Sequence, residues 1–414
     1  MRTLFRRCLP APILAVVLIG GCHDDATAPD STAASAKFAG SRKCASCHGE
    51  IHARWQESGH PYALAAVDGA APVSAYGRLA AYPADPVDPP FPYFWPYISY
   101  VAGGYGWKML WINSRGYPVM TVTSGDRVMY SFADRQWVYW GSYAQARDPA
   151  DCGRCHATGW VPDEDWDTDD DLSDNQDGLE GMAGRWTAPG IHCEECHGWG
   201  SLHAVRPSRF ELVVDRSSAD CGRCHTKDPR HDPLASGGFV TPNSQYDEWL
   251  HSGHALGESV VECVDCHDPH ASVKYDDLAL GLGTHTACVR CHPAAASVNR
   301  HDRFAPTACV DCHMPFAVHS AAKYQSYGAD MRTHLVDIAV AAVGRRQGMG
   351  MTDGIANIRQ DAGGRARITL DLACYGCHRD PGGEGGEARA LSLTELADFA
   401  PGMHRPGRSA AGGD

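Results

Sequence analysis

The chain has 414 residues, with 36 lysines and arginines against 50 aspartates and glutamates and a formal net charge of −14. This balance excludes a nucleic-acid-binding surface as the default interpretation, because phosphate backbones are bound by basic residues. The 44 glycines and 26 prolines predict many loops and little regular secondary structure.

Residues 1–21 predict an export signal that is removed from the mature protein. Three arginines among the first seven residues form a basic start, and Leu9–Ile19 is an apolar run too short to span a bilayer. The stretch Leu18–Cys22 resembles the bacterial lipobox, in which the cysteine carries lipid and becomes the new N-terminus. The alternative is ordinary cleavage of the signal at a nearby residue, with no lipid on Cys22. We expect residues 22–40 to form a flexible tether.

A five-residue pattern, Cys-x-x-Cys-His, occurs eight times and is numbered here motif 1 to motif 8 in chain order. On a helical turn the two cysteines share a face, so both thiols can reach the vinyl groups of one porphyrin while the histidine reaches its iron. Zinc knuckles do not need a histidine after every second cysteine, and disulfide frameworks do not space cysteines in such regular pairs. The pattern therefore predicts eight covalently attached haems c.

The sixteen motif cysteines, predicted to bind haem, are Cys44, Cys47, Cys152, Cys155, Cys193, Cys196, Cys221, Cys224, Cys263, Cys266, Cys288, Cys291, Cys309, Cys312, Cys374 and Cys377. The motif histidines, predicted as iron ligands, are His48, His156, His197, His225, His267, His292, His313 and His378.

Motif 1 opens the first folded region, predicted over residues 41–151. A sequence pattern, Trp-x-x-Ser-Gly-His, follows motif 1 and occurs a second time later in the chain. We expect each copy to present its histidine, His60 or His254, to the haem of another motif. Aromatic and β-branched residues between 97 and 143 predict a small β-hairpin region. Its predicted strands are Trp107–Ile112, Tyr117–Thr123, Val128–Phe132 and Trp137–Tyr139. We expect this sheet to pack against the haems, with a carbohydrate or quinone site among the aromatics as the alternative.

Residues 152–334 form a haem-dense region in which five motifs fall between Cys193 and His313. With so little polypeptide per haem, the haems should supply most of the core. The acidic stretch Asp163–Asp177 predicts a solvated loop rather than a calcium loop, because Ser173 and Gly184 stand where calcium ligands are needed.

The last region, 335–414, carries motif 8. Segments Ile355–Ile358 and Arg367–Leu370, divided by two glycines, predict a hairpin. Leu391–Phe399 has a helical pattern with Ser392 as N-cap, and the chain then reaches His404.

The second axial position of each iron decides between electron transfer and catalysis, since a filled position suits a carrier and an open one suits a catalyst. Eight further histidines stand in contexts suited to filling it: His60, His203, His254, His270, His285, His301, His334 and His404. Six others are reserves: His23, His52, His192, His231, His251 and His319. Eight irons and eight well-placed histidines predict bis-histidine ligation throughout. Should one iron be open, we expect it among motifs 1 to 3, where candidate ligands are scarcest.

Several segments together resemble the bacterial multihaem cytochromes c, the superfamily of the nitrifier tetrahaem cytochrome, octahaem tetrathionate reductase and hydroxylamine oxidoreductase. The resemblance covers most of the mature chain; its segments are Cys44–His60, Tyr105–Lys108, Cys152–Trp160, Trp186–His203, Cys312–Pro315 and Arg332–His334. It implies a mostly irregular and α-helical fold built around stacked haems with bis-histidine ligation. The chain lacks the Cys-x-x-Cys-Lys site of the related nitrite reductases.

These features predict an exported cytochrome that transfers electrons along its haems in anaerobic or extracellular respiration, rather than a catalyst. Its partners would be other redox proteins as electron donor and acceptor, and a membrane bound through lipid on Cys22, in the periplasm or on the outer membrane. Two alternatives remain open: an oxidoreductase of a small nitrogen or sulfur compound with one open haem, and a subunit that self-associates into a conductive filament.

Overall fold

A computed structural model of the chain describes residues 36–72, 87–105, 108–120, 127–132, 135–140, 151–162, 172–272, 284–296, 301, 307–320 and 326–404. Within these ranges the α-helices are short: α1 Ser41–Ala45, α2 Gly49–Trp55, α3 Gly153–His156, α4 Cys193–His197, α5 Ser218–Gly222, α6 Gln245–Leu250, α7 Gly253–Leu256, α8 Cys263–Cys266, α9 Pro293–Ala296, α10 Cys309–His313, α11 Arg345–Gly348, α12 Leu370–Cys374 and α13 Leu393–Phe399. Long loops join them, in line with the glycine and proline content.

The strands are likewise short: β1 Leu64–Ala66, β2 Ile98–Gly103, β3 Lys108–Asn113, β4 Arg127–Ser131, β5 Gln136–Trp140, β6 Ala157–Thr158, β7 Ala188–Pro189, β8 Ala235–Ser236, β9 Phe239–Val240, β10 Ile338–Ala339, β11 Met349–Thr352, β12 Ile355–Ile358 and β13 Ile368–Thr369. The first five form one antiparallel sheet in the order β1-β2-β3-β4-β5.

Strands β2 to β5 of this sheet lie in the predicted hairpin region, and β1 precedes it. Strands β3, β4 and β5 each begin and end within one residue of their predictions, whereas β1 and β2 were not predicted as strands. The described part of the predicted strand Tyr117–Thr123 forms an isolated antiparallel bridge between Pro118 and Ile112 of β3 rather than a full strand. Residues 121–126 lie outside the described residues. Trp111 and Met109 are fully buried on one face of the sheet, with Trp137 against them. The aromatic residues thus serve as a core.

The hairpin predicted around Gly363-Gly364 is confirmed only in part. Gln360 and Ala366 form an isolated antiparallel bridge across that turn, but the two predicted strands do not pair with each other. Strand β12 pairs with β11, which precedes it, and β13 pairs in parallel with β10. The turn between β11 and β12 is Asp353-Gly354, with φ of 49° and 81°. Asp-Gly is the typical sequence of a two-residue turn with both residues in the left-handed region. The sequence therefore contains a pattern that indicates the hairpin of β11 and β12.

The end of the chain folds as predicted. Ser392 caps α13: its hydroxyl accepts a hydrogen bond from the Glu395 amide, and the Glu395 carboxylate accepts one from the Ser392 amide. Leu396 of this helix packs with Leu370 and Tyr375 next to motif 8. In the acidic stretch, Asp174 forms an ion pair with Arg185, and residues 163–171 lie outside the described ranges. No helix in the described residues is long and apolar enough to cross a membrane.

Candidate haem-binding sites

All eight motifs form a turn of helix, as haem attachment requires. Helices α4 and α10 span two of them. In the other six the amide of the motif histidine donates to the carbonyl of the first cysteine at 2.8–3.0 Å. All sixteen motif cysteines are free thiols rather than disulfides. Each motif therefore presents two thiols and an imidazole from one turn.

Seven motif histidines each face a second histidine across a gap of nearly constant width. The pairs, with the distance between ring centres, are His48 and His203 (6.4 Å), His197 and His270 (6.2 Å), His225 and His60 (6.5 Å), His267 and His334 (6.2 Å), His292 and His254 (6.3 Å), His313 and His404 (5.9 Å), and His378 and His301 (6.1 Å).

This spacing fits an iron between two imidazoles. A metal–nitrogen bond of about 2.0–2.1 Å, with about 1.1 Å from nitrogen to ring centre, places two coordinating rings roughly 6.2–6.4 Å apart. Direct stacking or hydrogen bonding would bring the rings closer together. The residues of the seven pairs thus fit a haem iron.

Hydrogen bonds orient many of these rings for coordination. Within the seven pairs, a backbone carbonyl accepts from Nδ1 of six histidines: His60, His197, His203, His313, His378 and His404, at 2.7–3.2 Å. Because a carbonyl can only accept, Nδ1 must carry the proton, and Nε2 keeps its lone pair for the metal.

Burial keeps several of the rings neutral, which is the form that binds a metal. Desolvation lowers the pKa of His60 to about 4 and that of His334 to about 3, with further lowering by His225 and His267 respectively. Desolvation also lowers the pKa of His156 and His225.

Motif 2 differs from the other seven. Its His156 donates from Nδ1 to the Ala63 carbonyl at 2.8 Å, as a ligand histidine should. Within the part of the chain that the structure describes, however, no second histidine ring faces it. The same Ala63 carbonyl accepts from Gly103 of β2 at 3.0 Å, so the sheet holds the His156 ring in place.

His285, the eighth predicted axial ligand, is placed elsewhere. Its Nε2 lies 3.0 Å from the Val264 carbonyl, and its Nδ1 lies 3.2 Å from the Thr286 hydroxyl. Both nitrogens are therefore engaged by the protein. The structure thus brings seven of the eight predicted axial ligands opposite a motif histidine, and within the described residues His285 faces none.

Three of the reserve histidines are held by hydrogen bonds. Nδ1 of His251 donates to the Asp247 carbonyl at 2.8 Å. His192 contacts the Ser41 hydroxyl at 2.9 Å and the Pro189 carbonyl at 3.1 Å. His231 contacts Asp247 at 3.0 Å. His23 lies outside the described residues.

The repeated Trp-x-x-Ser-Gly-His pattern has the same conformation in both copies, and we name each copy a tryptophan turn (55–60 and 249–254). In each the serine hydroxyl donates to the tryptophan carbonyl at 2.8 Å and accepts from the histidine amide at 3.2–3.3 Å. The indole donates to a carbonyl two residues before a motif, that of Ile191 for Trp55 and that of Val261 for Trp249. The turn therefore docks beside one motif and offers its histidine to another.

Neighbouring thiols bring motifs together in pairs. In four cases one thiol lies close enough to another to affect its pKa: Cys44 and Cys193, Cys221 and Cys263, Cys288 and Cys309, and Cys155 and Cys224. These contacts pair motif 1 with 3, motif 4 with 5, motif 6 with 7, and motif 2 with 4. The first tryptophan turn leads from motif 3 to motif 4, and the second from motif 5 to motif 6, so the turns connect successive pairs.

No family model and no curated protein matches the chain. Among solved structures it is similar to the octahaem sulfite reductase MccA of Wolinella succinogenes, with a TM-score of 0.53 and 17% identity over 82% of this chain and 65% of that one. A second similar structure is the outer cell wall cytochrome OcwA, with a TM-score of 0.46 and 17% identity over 87% of this chain and 86% of that one. A third is an undecahaem S-layer cytochrome of Carboxydothermus ferrireducens, with a TM-score of 0.41 and 18% identity over 68% of this chain and 51% of that one. The chain thus spans just under two thirds of MccA, and it has the fold of a bacterial multihaem cytochrome c.

Proposed function

We propose that the chain is an exported octahaem cytochrome c that holds seven haems between paired histidines and an eighth, at motif 2, with one axial position left for a small molecule. The observation that carries this proposal is the contrast between the seven facing pairs and His156. Bound haem supplies an iron that takes up and releases single electrons; two protein ligands suit electron transfer, and one suits substrate binding.

The arrangement of the motifs supports electron transfer as the main activity. Contacts between cysteines and the two tryptophan turns favour a route from motifs 1 and 3, through 4 and 5, to 6 and 7. Cys312 and Cys377 are close enough to interact electrostatically, which extends the route to motif 8. Other redox proteins would serve as electron donor and acceptor. The predicted export signal and lipid on Cys22 would place this route in the bacterial cell envelope.

His156 favours a second activity, the oxidation or reduction of a small nitrogen or sulfur compound. The chain would use Ala63 to orient the His156 ring on one side of the haem, and would offer no histidine on the other. Motif 2 lies near motif 4, since the Cys224 thiol is close enough to lower the pKa of Cys155, so the remaining haems would supply or remove the electrons of the reaction. The similarly folded MccA is described as a sulfite reductase, which is within this compound class.

The third alternative, a conductive filament, receives less support. A filament could take axial ligands from a neighbouring chain, whereas the seven facing histidines here all belong to the same chain. Self-association is therefore not needed to complete these sites.

Carbon monoxide titration of the reduced, haem-loaded protein tests the proposal. Carbon monoxide binds a haem iron whose sixth position is free, so we expect one molecule bound per eight haems. Absence of binding would leave a pure electron carrier and reject the open site at motif 2. Binding of several molecules would reject the proposed histidine pairs.

A further inference from the structure

One facing histidine has a charged partner. Nδ1 of His270 lies 2.9 Å from Oδ1 of Asp268, and the backbone amide of His270 donates to the same oxygen at 3.0 Å. The other oxygen of Asp268 forms an ion pair with Arg54 of α2 at 2.5 Å. The Asp268 side chain is 17% exposed and that of Arg54 53% exposed. Arg54, Asp268 and His270 therefore form a chain of contacts, called the relay here, that ends at the ring facing His197.

This relay differs from the other contacts made by ligand histidines. Where Nδ1 of a motif or facing histidine donates to a backbone carbonyl, the acceptor carries no net charge. A carboxylate acceptor makes the imidazole a stronger donor to its metal and places a negative charge near the iron. Both effects favour the oxidised iron. Arg54 acts in the opposite direction, because its positive charge offsets that of the carboxylate.

We propose that Arg54 and Asp268 form a tuning site that sets the reduction potential of the haem at motif 3. Asp268 lowers this potential and Arg54 limits the decrease. The inference rests on the proposed ligation of that haem by His197 and His270, and both residues act through His270 as positioning and electrostatic groups.

The location of the relay gives it a place on the electron route. The residue between Asp268 and His270 is Pro269, whose carbonyl accepts from Nδ1 of His60 at 3.1 Å. His60 faces His225 of motif 4. One three-residue turn thus holds the distal rings of motifs 3 and 4, at the step between the first two haem pairs. A charge here would decide which of the two haems has the higher reduction potential, and so the favourable direction of electron transfer between them.

Spectroelectrochemical redox titration of the haem-loaded protein tests the tuning site. Asp268→Asn keeps an oxygen acceptor for Nδ1 but removes the charge, so the midpoint of one haem should shift upward. Arg54→Gln removes the compensating cation, so the same midpoint should shift downward. Arg115 and Glu180 provide matched controls: they form an exposed ion pair at 2.7 Å, and Arg115→Gln and Glu180→Gln should leave every midpoint unchanged.

His270→Ala identifies the haem. It should create one new high-spin haem and remove the midpoint that the Asp268 and Arg54 variants move. Shifts of opposite sign in that midpoint support the tuning site. Unchanged midpoints, or shifts of the same sign, overturn it while the ligation stands. If Asp268→Asn does not fold, Arg54→Gln decides alone: a downward shift supports the site and no shift overturns it. If His270→Ala creates no high-spin haem, the ligation itself is wrong, and the inference falls with it.

Discussion

A histidine has two ring nitrogens, and the nitrogen that bonds to a backbone carbonyl differs between His404 and His285. His404 donates from Nδ1 to the Ala295 carbonyl at 3.2 Å and faces His313. His285 uses Nε2 on the Val264 carbonyl instead. Sequence context ranked the two alike, since each lies within a few residues of a motif or at the end of a helix. The difference depends on a carbonyl from another segment, which no local pattern contains.

This distinction predicts different outcomes for two alanine substitutions. His404→Ala should create one additional high-spin haem and raise carbon monoxide binding from one molecule to two per chain, because the iron at motif 7 loses a ligand. His285→Ala should change neither the number of high-spin haems nor the number of carbon monoxide molecules bound. A new high-spin haem in the His285 variant, or none in the His404 variant, would contradict the ligand assignment.

At the scale of elements, the tryptophan turn is the best-predicted unit of the site. Its repetition was visible in the sequence, and so was its role of presenting a histidine away from its own motif. The motif that each turn serves was not predictable, because His60 meets His225 and His254 meets His292 only after long loops have folded. Likewise, β3, β4 and β5 followed from alternation and turn residues, whereas the parallel pairing of β10 with β13 joins segments that no turn connects.

The indole hydrogen bond should stabilise the turn that it anchors. Trp249→Phe keeps an aromatic ring but removes the 2.8 Å bond to the Val261 carbonyl, leaving a partly buried acceptor without its donor. We expect a loss of about 1 kcal/mol in the free energy of unfolding, measured from the denaturant midpoint. The control is Trp95→Phe, whose indole bonds to the exposed Asp88 and should matter less. Equal losses in the two variants would contradict a special role for the turn.

At the scale of the whole molecule, the described part of the chain combines seven pairs of facing histidines with one motif histidine, His156, that faces no second histidine there. The regions predicted as 41–151, 152–334 and 335–414 are joined across their boundaries by haem sites: His60 of the first faces His225 of the second, and His301 of the second faces His378 of the third. These links predict that haem attachment and folding of the three regions depend on one another.

The proposed attachment of the molecule to a membrane depends on one residue. Cys22 follows the predicted signal and lies outside the haem motifs, so Cys22→Ser should move the protein from the membrane to the soluble fraction on cell fractionation. The haem spectrum should stay unchanged, because the variant leaves all eight motifs intact. Retention in the membrane fraction would show that the anchor lies elsewhere.

An experimental structure of the haem-loaded protein tests the central claim most directly, because it reports the ligands of every iron at once. It should place seven irons between the histidine pairs identified here, with Nε2 as the coordinating atom. The eighth iron, at motif 2, should have His156 on one side and no protein side chain on the other. A protein ligand opposite His156, or an iron coordinated by His285, would contradict this account.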